Sequence, residues 1–295
     1  MRYFIFISLL FCSFFNAAGT GGGDGKFDFW IGFKGGINFS TVIPAKRFSV
    51  LQPSGGMEPT AGRKNYKPFY RNPGYQYGFV GLVRITRSLL IGIEPTFSSY
   101  TFKYTSFLQW TDAANPGNRL EIESNFTDRL KYFEIPLEIR YELGSGQIRP
   151  FLAGGFFYSL LTGANGNISS VTTQYINETG IELDNNSTTG ENSGSYIKTR
   201  LAAFPGAGFF ADLSWVTLFA EADYFISLHN IVNESKRYSN QQNAGGSYNV
   251  PDNLVFNNLV INVGVLFNIN QNLKSGGGGK GKGSAVPCPV FKSKR

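Results

Sequence analysis

The connections between candidate strands in this chain alternate strictly between very short and very long. The short ones are residues 86–88, 144–147 and 214–215, and the long ones are about 41–73, 108–129, 163–195 and 230–253. A barrel crossing the bacterial outer membrane sorts its connections this way, with tight periplasmic turns on one side and long extracellular loops on the other. A soluble sandwich has no physical reason to do so. Strands are predicted at 27–39, 75–85, 89–104, 130–143, 148–161, 196–213, 216–228 and 254–269. Each reaches the roughly 9–11 residues that a tilted spanning strand needs. The predicted fold is all-β: an eight-stranded antiparallel up-and-down transmembrane β-barrel with short periplasmic turns and long extracellular loops. It would occupy 27–269, in contact with outer-membrane lipids.

Alternation decides which face each residue takes. Phe133, Ile135, Leu137, Ile139, Tyr141 and Leu143 share one face of the fourth strand, and Glu134, Glu138, Arg140 and Glu142 share the other. The seventh and eighth strands repeat the pattern, with Leu218 and Tyr224 opposing Glu221 and Asp223, and Ile261 and Val263 opposing Asn262. A basic residue on lipid at midplane costs about 2–4 kcal/mol, so the polar face is assigned to the lumen. The lumen candidates are Lys34, Arg84, Arg140, Lys198 and Arg200, against Glu94, Glu134, Glu138, Glu142, Asp212, Glu221 and Asp223. Such a barrel is just wide enough for its own side chains to fill, so a packed ion-pair plug is expected. A narrow polar pore or proton path is the alternative. Pro95, Pro136, Pro150 and Pro205 fall in or beside strands, where proline cannot donate to the ladder. Bulges are expected there, each shifting the facing of residues beyond it.

Residues 1–19 read as a secretory signal peptide: Arg2, an apolar run from Tyr3 to Phe15, then Ala17, Ala18 and Gly19. The run is shorter than the roughly 20 residues of a spanning helix. Cys12 follows Phe11 rather than a small residue, which argues against lipidation. With Cys12 removed, Cys288 is left alone and no internal disulfide framework is possible. The net charge of +7 invites a nucleic-acid reading, but Arg2 and six basic residues beyond 269 account for all of it. The barrel itself is formally neutral, and no nucleic-acid partner is expected. Residues 270–295 form a flexible, basic, Gly/Lys-rich tail, placed in the periplasm by an even strand count. It carries Pro287, Cys288, Pro289 and Phe291, a candidate docking peptide for a periplasmic or outer-membrane protein partner, with Cys288 available for a mixed disulfide.

Three motifs resemble a known family. They are the segment 32–40 (Gly-Phe-Lys-Gly-Gly-Ile-Asn-Phe-Ser), the segment 131–137 (Lys-Tyr-Phe-Glu-Ile-Pro-Leu) and the segment 149–155 (Arg-Pro-Phe-Leu-Ala-Gly-Gly). The chain resembles the outer-membrane β-barrel family of the Bacteroidota that includes the PorT proteins, across the whole barrel. The resemblance implies that Pro136 is tolerated in the fold. It also implies, as one possible role, accessory work in type IX protein secretion or cell-envelope assembly.

Catalytic and metal signals are sparse. No P-loop, dinucleotide fingerprint or metal-ligand spacing occurs, so neither a cofactor nor a metal is expected. His229 is the sole histidine. With Ser227, two residues away on the same predicted face, and Glu234 in the following loop, it evokes an outer-membrane lipid A deacylase, though no oxyanion donor can be nominated. The first long loop is aromatic and basic, with Arg63, Lys64, Tyr66, Lys67, Tyr70 and Arg71, a composition suited to lipopolysaccharide phosphates or an acidic partner. The leading expectation is a non-enzymatic barrel acting through partners. A small channel, a lipid A-modifying enzyme and a soluble lipocalin-like binder are the alternatives.

Overall fold

The computed structural model describes residues 28–48, 61–213, 215–237 and 250–269. The signal peptide, the tail and its Pro287, Cys288, Pro289 and Phe291 lie outside the described residues.

Eleven antiparallel strands form one sheet: β1 (Phe29–Lys46), β2 (Ala61–Tyr66), β3 (Pro73–Arg84), β4 (Leu89–Ile93), β5 (Thr96–Thr111), β6 (Arg119–Glu142), β7 (Ile148–Ile176), β8 (Thr179–Glu191), β9 (Thr199–Leu213), β10 (Val216–Ser227) and β11 (Asn253–Asn268). The sheet closes because β1 pairs both β3 and β11. From β3 the ring passes through β4 and β5 together to β6, then β7, β9, β10 and back to β11. β2 hangs on β5 and β8 on β7, both outside the ring. Each of the eight predicted strands occurs in the ring, one of them broken into β4 and β5, and β2 and β8, in segments read as loops, bring the sheet to eleven strands.

The outward face of β6 locates the membrane. Glu123, Arg129 and Lys131 face outward, then Phe133, Ile135, Leu137, Ile139, Tyr141 and Leu143. Charge gives way to an apolar run at the level of Phe133, where lipid begins. Exposed Phe33 and Ile37 of β1, Tyr77 and Phe79 of β3, and Phe156 of β7 continue the band. The strands run well past it. β6 has 24 residues and β7 has 29, against the 9–11 or so that a bilayer requires. Much of the long segments 108–129 and 163–195 is therefore β-structure and not loop. At its tip, Asn177 (φ 48°) and Glu178 (φ 66°) make the two-residue turn between β7 and β8, both in the left-handed region that a type I′ hairpin uses. Glu178 N–H donates to Gly117 O at 3.0 Å, tying this tip to the turn between β5 and β6.

The prolines behave differently from expectation. Pro136, Pro150 and Pro205 sit in continuous register with Phe157, Phe209 and Gly154. The register shifts lie elsewhere, at 44–46, opposite 131–132 and at 172–173. Pro95 does break its strand, separating β4 from β5, and Pro136 stands across from that break. Glu94 N–H donates to Pro136 O at 3.2 Å, so Pro136 nitrogen faces Glu94 O and has no hydrogen to return. Thr96 Oγ1 fills the vacancy, donating to Glu94 O at 2.6 Å. Glu94 faces the lumen by the same alternation as Gly92 and Thr96, and its backbone carbonyl is not left orphaned.

Inward glycines set opposite large side chains make the interior fit. Gly264 pairs with Phe219, whose ring would stand 2.3 Å from a Cβ added there. Gly206 is opposite Asp223 in the same manner. Small-against-large alternation is how a narrow barrel fills its bore.

If Thr96 compensates for the missing proline donor, Thr96→Val should cost about 1–3 kcal/mol, the cost of an unsatisfied buried carbonyl. Urea unfolding in lipid vesicles would measure it.

Candidate functional site

Inward residues of the spanning strands stack three charged tiers along the bore. At the end of the short turns, Arg84 forks onto Glu142 at 2.7 and 3.0 Å. Arg149 approaches Glu142 at 3.3 Å and Asp212 at 2.9 Å. Thr217 Oγ1 donates to Asp212 at 2.6 Å.

The middle tier is the densest. Arg140, fully buried, places Nη2 2.6 Å from both Glu94 and Glu221, with Nε 2.8 Å from Glu138. Lys34 pairs with Glu94 and lies 3.7 Å from Glu221. Asn262 donates to Glu221 at 3.0 Å and accepts from Gln76 at 2.8 Å. Phe151, Phe210 and Phe219 stand 5.0, 5.7 and 5.2 Å from the Arg140 guanidinium carbon. Their rings surround a cation whose Nη1 has no hydrogen-bond acceptor among the described residues. Asp223 is buried in the same region.

The upper tier repeats the design. Arg200 donates to Glu134 at 2.6 Å, and Ser98, Tyr100 and Ser159 complete the carboxylate at 2.7, 2.7 and 3.0 Å. Tyr132, Phe157 and Phe256 stand around Arg200 at 4.7–5.2 Å.

Lys198 lies outside these tiers. β9 starts at Thr199, so its alternation does not extend back to Lys198, which is exposed. Arg149, Ser98, Tyr100, Ser159 and Gln76 join the network without having been singled out. Arg149 shares its face with Phe151 and Ser159, so alternation alone could have found it. Glu94, Glu138 and Glu221 bring carboxylate oxygens close enough together to hold a metal ion. Lys34 and Arg140 already occupy the space between them and neutralise them, so the group does not fit a metal.

The serine–histidine pair does not assemble. Ser227 is buried and faces the lumen, whereas the chain leaves strand geometry after it and His229 is exposed. His229 Nε2 lies 3.4 Å from Thr199 O, and Glu234 accepts instead from Asn230 and Asn253 at 3.2 and 2.8 Å. The first loop is also less free than its composition suggests. Lys64 is buried and donates to Asp252 at 2.9 Å, to which Tyr66 donates at 2.7 Å.

Above the lipid band, Asp128 of β6 is buried beneath the mouth. Asn192 Nδ2 donates to it at 3.2 Å, the Tyr196 hydroxyl is its other partner, and no described cation pairs with it. Burial pushes its carboxyl up to about 6, only partly opposed by those two neutral donors.

A closed antiparallel barrel with a lipid-facing apolar band and a polar interior defines an outer-membrane protein. The chain belongs to the family described as outer membrane protein beta-barrel domain, which it matches over residues 26–233, and it resides in the outer membrane. Among solved structures it is similar to the outer membrane protein OprG from Pseudomonas aeruginosa. The identity is 11%, with 82% of this chain and 96% of that one covered and a TM-score of 0.39. It is also similar to Ail, the attachment invasion locus protein of Yersinia pestis, at 9% identity with 81% and 98% covered and a TM-score of 0.30. The outer membrane protease OmpT from Escherichia coli aligns at 11% identity, with 82% and 96% covered and a TM-score of 0.32. No curated protein matches the chain.

Two predictions follow from the charged groups. Arg140→Met strands Glu138 and leaves Lys34 as the cation shared by Glu94 and Glu221, and should cost about 3–5 kcal/mol in vesicle unfolding. Adding Glu94→Gln and Glu221→Gln should recover part of that loss. Asp128 has the opposite sign. Its folded pKa lies above the ordinary aspartate value of 3.8, so the folded state binds the extra proton between about pH 4 and 6. The penalty is absent below pH 4, grows through that window and is complete above 6. Asp128→Asn should therefore stabilise the protein above pH 6, by on the order of 2–3 kcal/mol, and the gain should vanish as pH falls to 4.

Proposed function

We propose that this protein is a non-enzymatic outer-membrane barrel that works through partners and not by transport. The carrying observation is the bore. Arg84, Arg140 and Arg200 cross it at successive levels, each held by carboxylates, and the last two are enclosed by aromatic rings. Solute transport would require breaking buried ion pairs, at several kcal/mol each. Buried Ser227 and exposed His229 lie apart, which gives no support to lipid A hydrolysis.

Two surfaces remain for partners. Outside, the projecting strands end in β8, exposed along its whole length and unpaired on one edge among the described residues. Such an edge is a ready template for another chain. Inside, the tail carries Pro287, Cys288, Pro289 and Phe291 on a glycine-lysine linker, a composition suited to a tethered docking peptide. A PorT-like accessory role in secretion or envelope assembly is the concrete version of this reading, and it rests on the sequence resemblance alone.

The test is a pull-down from native membranes with mass spectrometry, comparing the full chain with one ending at Asn272, with and without reductant. A periplasmic or membrane partner recovered only with the tail is the expected result, and its loss on reduction would assign the link to Cys288. The same partner-free barrel from both chains would overturn tail docking.

A further inference from the structure

At the extracellular mouth lies a cavity of about 200 Å³ between the upper parts of β5, β6 and β7, the end of β8, and the segments 192–196 and 250–254. Five aromatic side chains, Tyr66, Phe102, Tyr104, Phe126 and Tyr196, contribute to its walls. Tyr104 and Phe126 stack at 4.5 Å between ring centres, and Phe102 meets Tyr196 edge-on at 6.2 Å. Asp128 is in the wall, 4% exposed, and among the described residues the neutral Asn192 and Tyr196 are its partners. A buried carboxylate carries about four acceptor positions, and two donors leave room for more.

The other charges around the cavity are already engaged. Asp252 holds Lys64 and Tyr66. Lys64 also donates to the carbonyl oxygens of Phe48 and Val250. Glu191 accepts from Ser193 at 3.0 Å. Arg47 and Arg237 add positive charge on the Lys64 and Asp252 side. Among the described lining residues, Asp128 and Glu191 are the carboxylates without a cationic partner, and Asp128 is the buried one of the two. Access to it depends on Gly166, because a Cβ there would stand 3.0 Å from Asp128 Oδ1.

We propose that this mouth cavity binds a compact quaternary ammonium ion, with Asp128 as its counter-ion and Phe102, Tyr104, Phe126 and Tyr196 as its aromatic walls. A quaternary ammonium offers no N–H donors. It asks only for π faces and one negative charge, and aromatic cages supply both. A hard divalent ion would want six or more oxygen ligands, which one available carboxylate cannot provide. An anion is repelled. The volume lies below the roughly 300–1,000 Å³ of pockets for drug-sized ligands, which limits the ligand to a handful of heavy atoms. Thr188 and Thr189 line the same cavity and offer hydroxyl groups to a ligand alcohol.

The probe is choline, titrated calorimetrically into the full-length protein in a polyoxyethylene detergent. The control is 3,3-dimethyl-1-butanol, the neutral carbon isostere. Saturable choline binding is expected, with at least tenfold weaker binding of the isostere. Asp128→Asn, which relieves a buried charge and so keeps the fold, should weaken choline at least tenfold. Gly166→Val should do the same while retaining the carboxylate, with folding of both variants checked by heat-modifiability on gels. No saturable choline binding by the wild type, equal binding by folded Asp128→Asn, or equal binding of the isostere would each overturn the proposal.

Discussion

Charge enclosed in the bore is the condition on which the rest of the structure depends. Arg140 is fully buried, and no arrangement of lipid or water can serve it there. Glu94, Glu138 and Glu221 must therefore converge on one level from three different strands. That convergence fixes register. A one-residue slip of β6 would send Glu138 and Arg140 to lipid and Leu137 and Ile139 inward, losing the network and the apolar band together. The register runs unshifted across the break at Pro95, so Glu94 still faces Arg140, and Thr96 satisfies the backbone there. Inward glycines at 206 and 264 give the charges and rings their room. Stability, register and closure of the bore are one problem solved by one set of residues.

The spanning part of this architecture was legible in the sequence because lipid and lumen impose opposite chemistry on alternate residues. In β6 the contrast between Leu137 and Glu138 recurs from Phe133 to Leu143, interrupted where Pro136 faces inward. Beyond the bilayer that contrast fades. Outward residues of the upper β7, such as Asn165 and Asn167, are as polar as loop residues, and β8 is exposed on both faces. It becomes a strand only by pairing with β7 through the turn at Asn177 and Glu178. Its existence was therefore not readable from hydrophobic period. Asp128 was missed for a narrower reason. It shares an inward face with Phe126, Leu130 and Tyr132, so carrying the alternation upstream of Leu130 would have exposed it. The Lys64–Asp252 pair, far apart in sequence, needed the closed ring to become visible. Lys198 shows the converse error, an alternation carried past the end of its strand.

The two ends of the molecule differ in what they offer. Toward the short turns, the bore is closed by Arg84, Arg149, Glu142 and Asp212 in mutual contact. Toward the outside, strands continue beyond the lipid into a β-extension with a free edge and an aromatic-walled, acidic cavity at its base. Asp128, a buried carboxylate with neutral donors as its described partners, lies on the extracellular side. That asymmetry is in keeping with the proposal of a barrel that works through an outward-facing surface.

Single-channel recording of the purified protein in planar bilayers asks whether the ion pairs of the bore seal it. Silent membranes are expected for the wild type at moderate voltage, with leakage appearing only when Arg140 and its carboxylates are replaced by small residues. Stable, ion-selective conductance steps from the wild-type protein would mean that the bore is open.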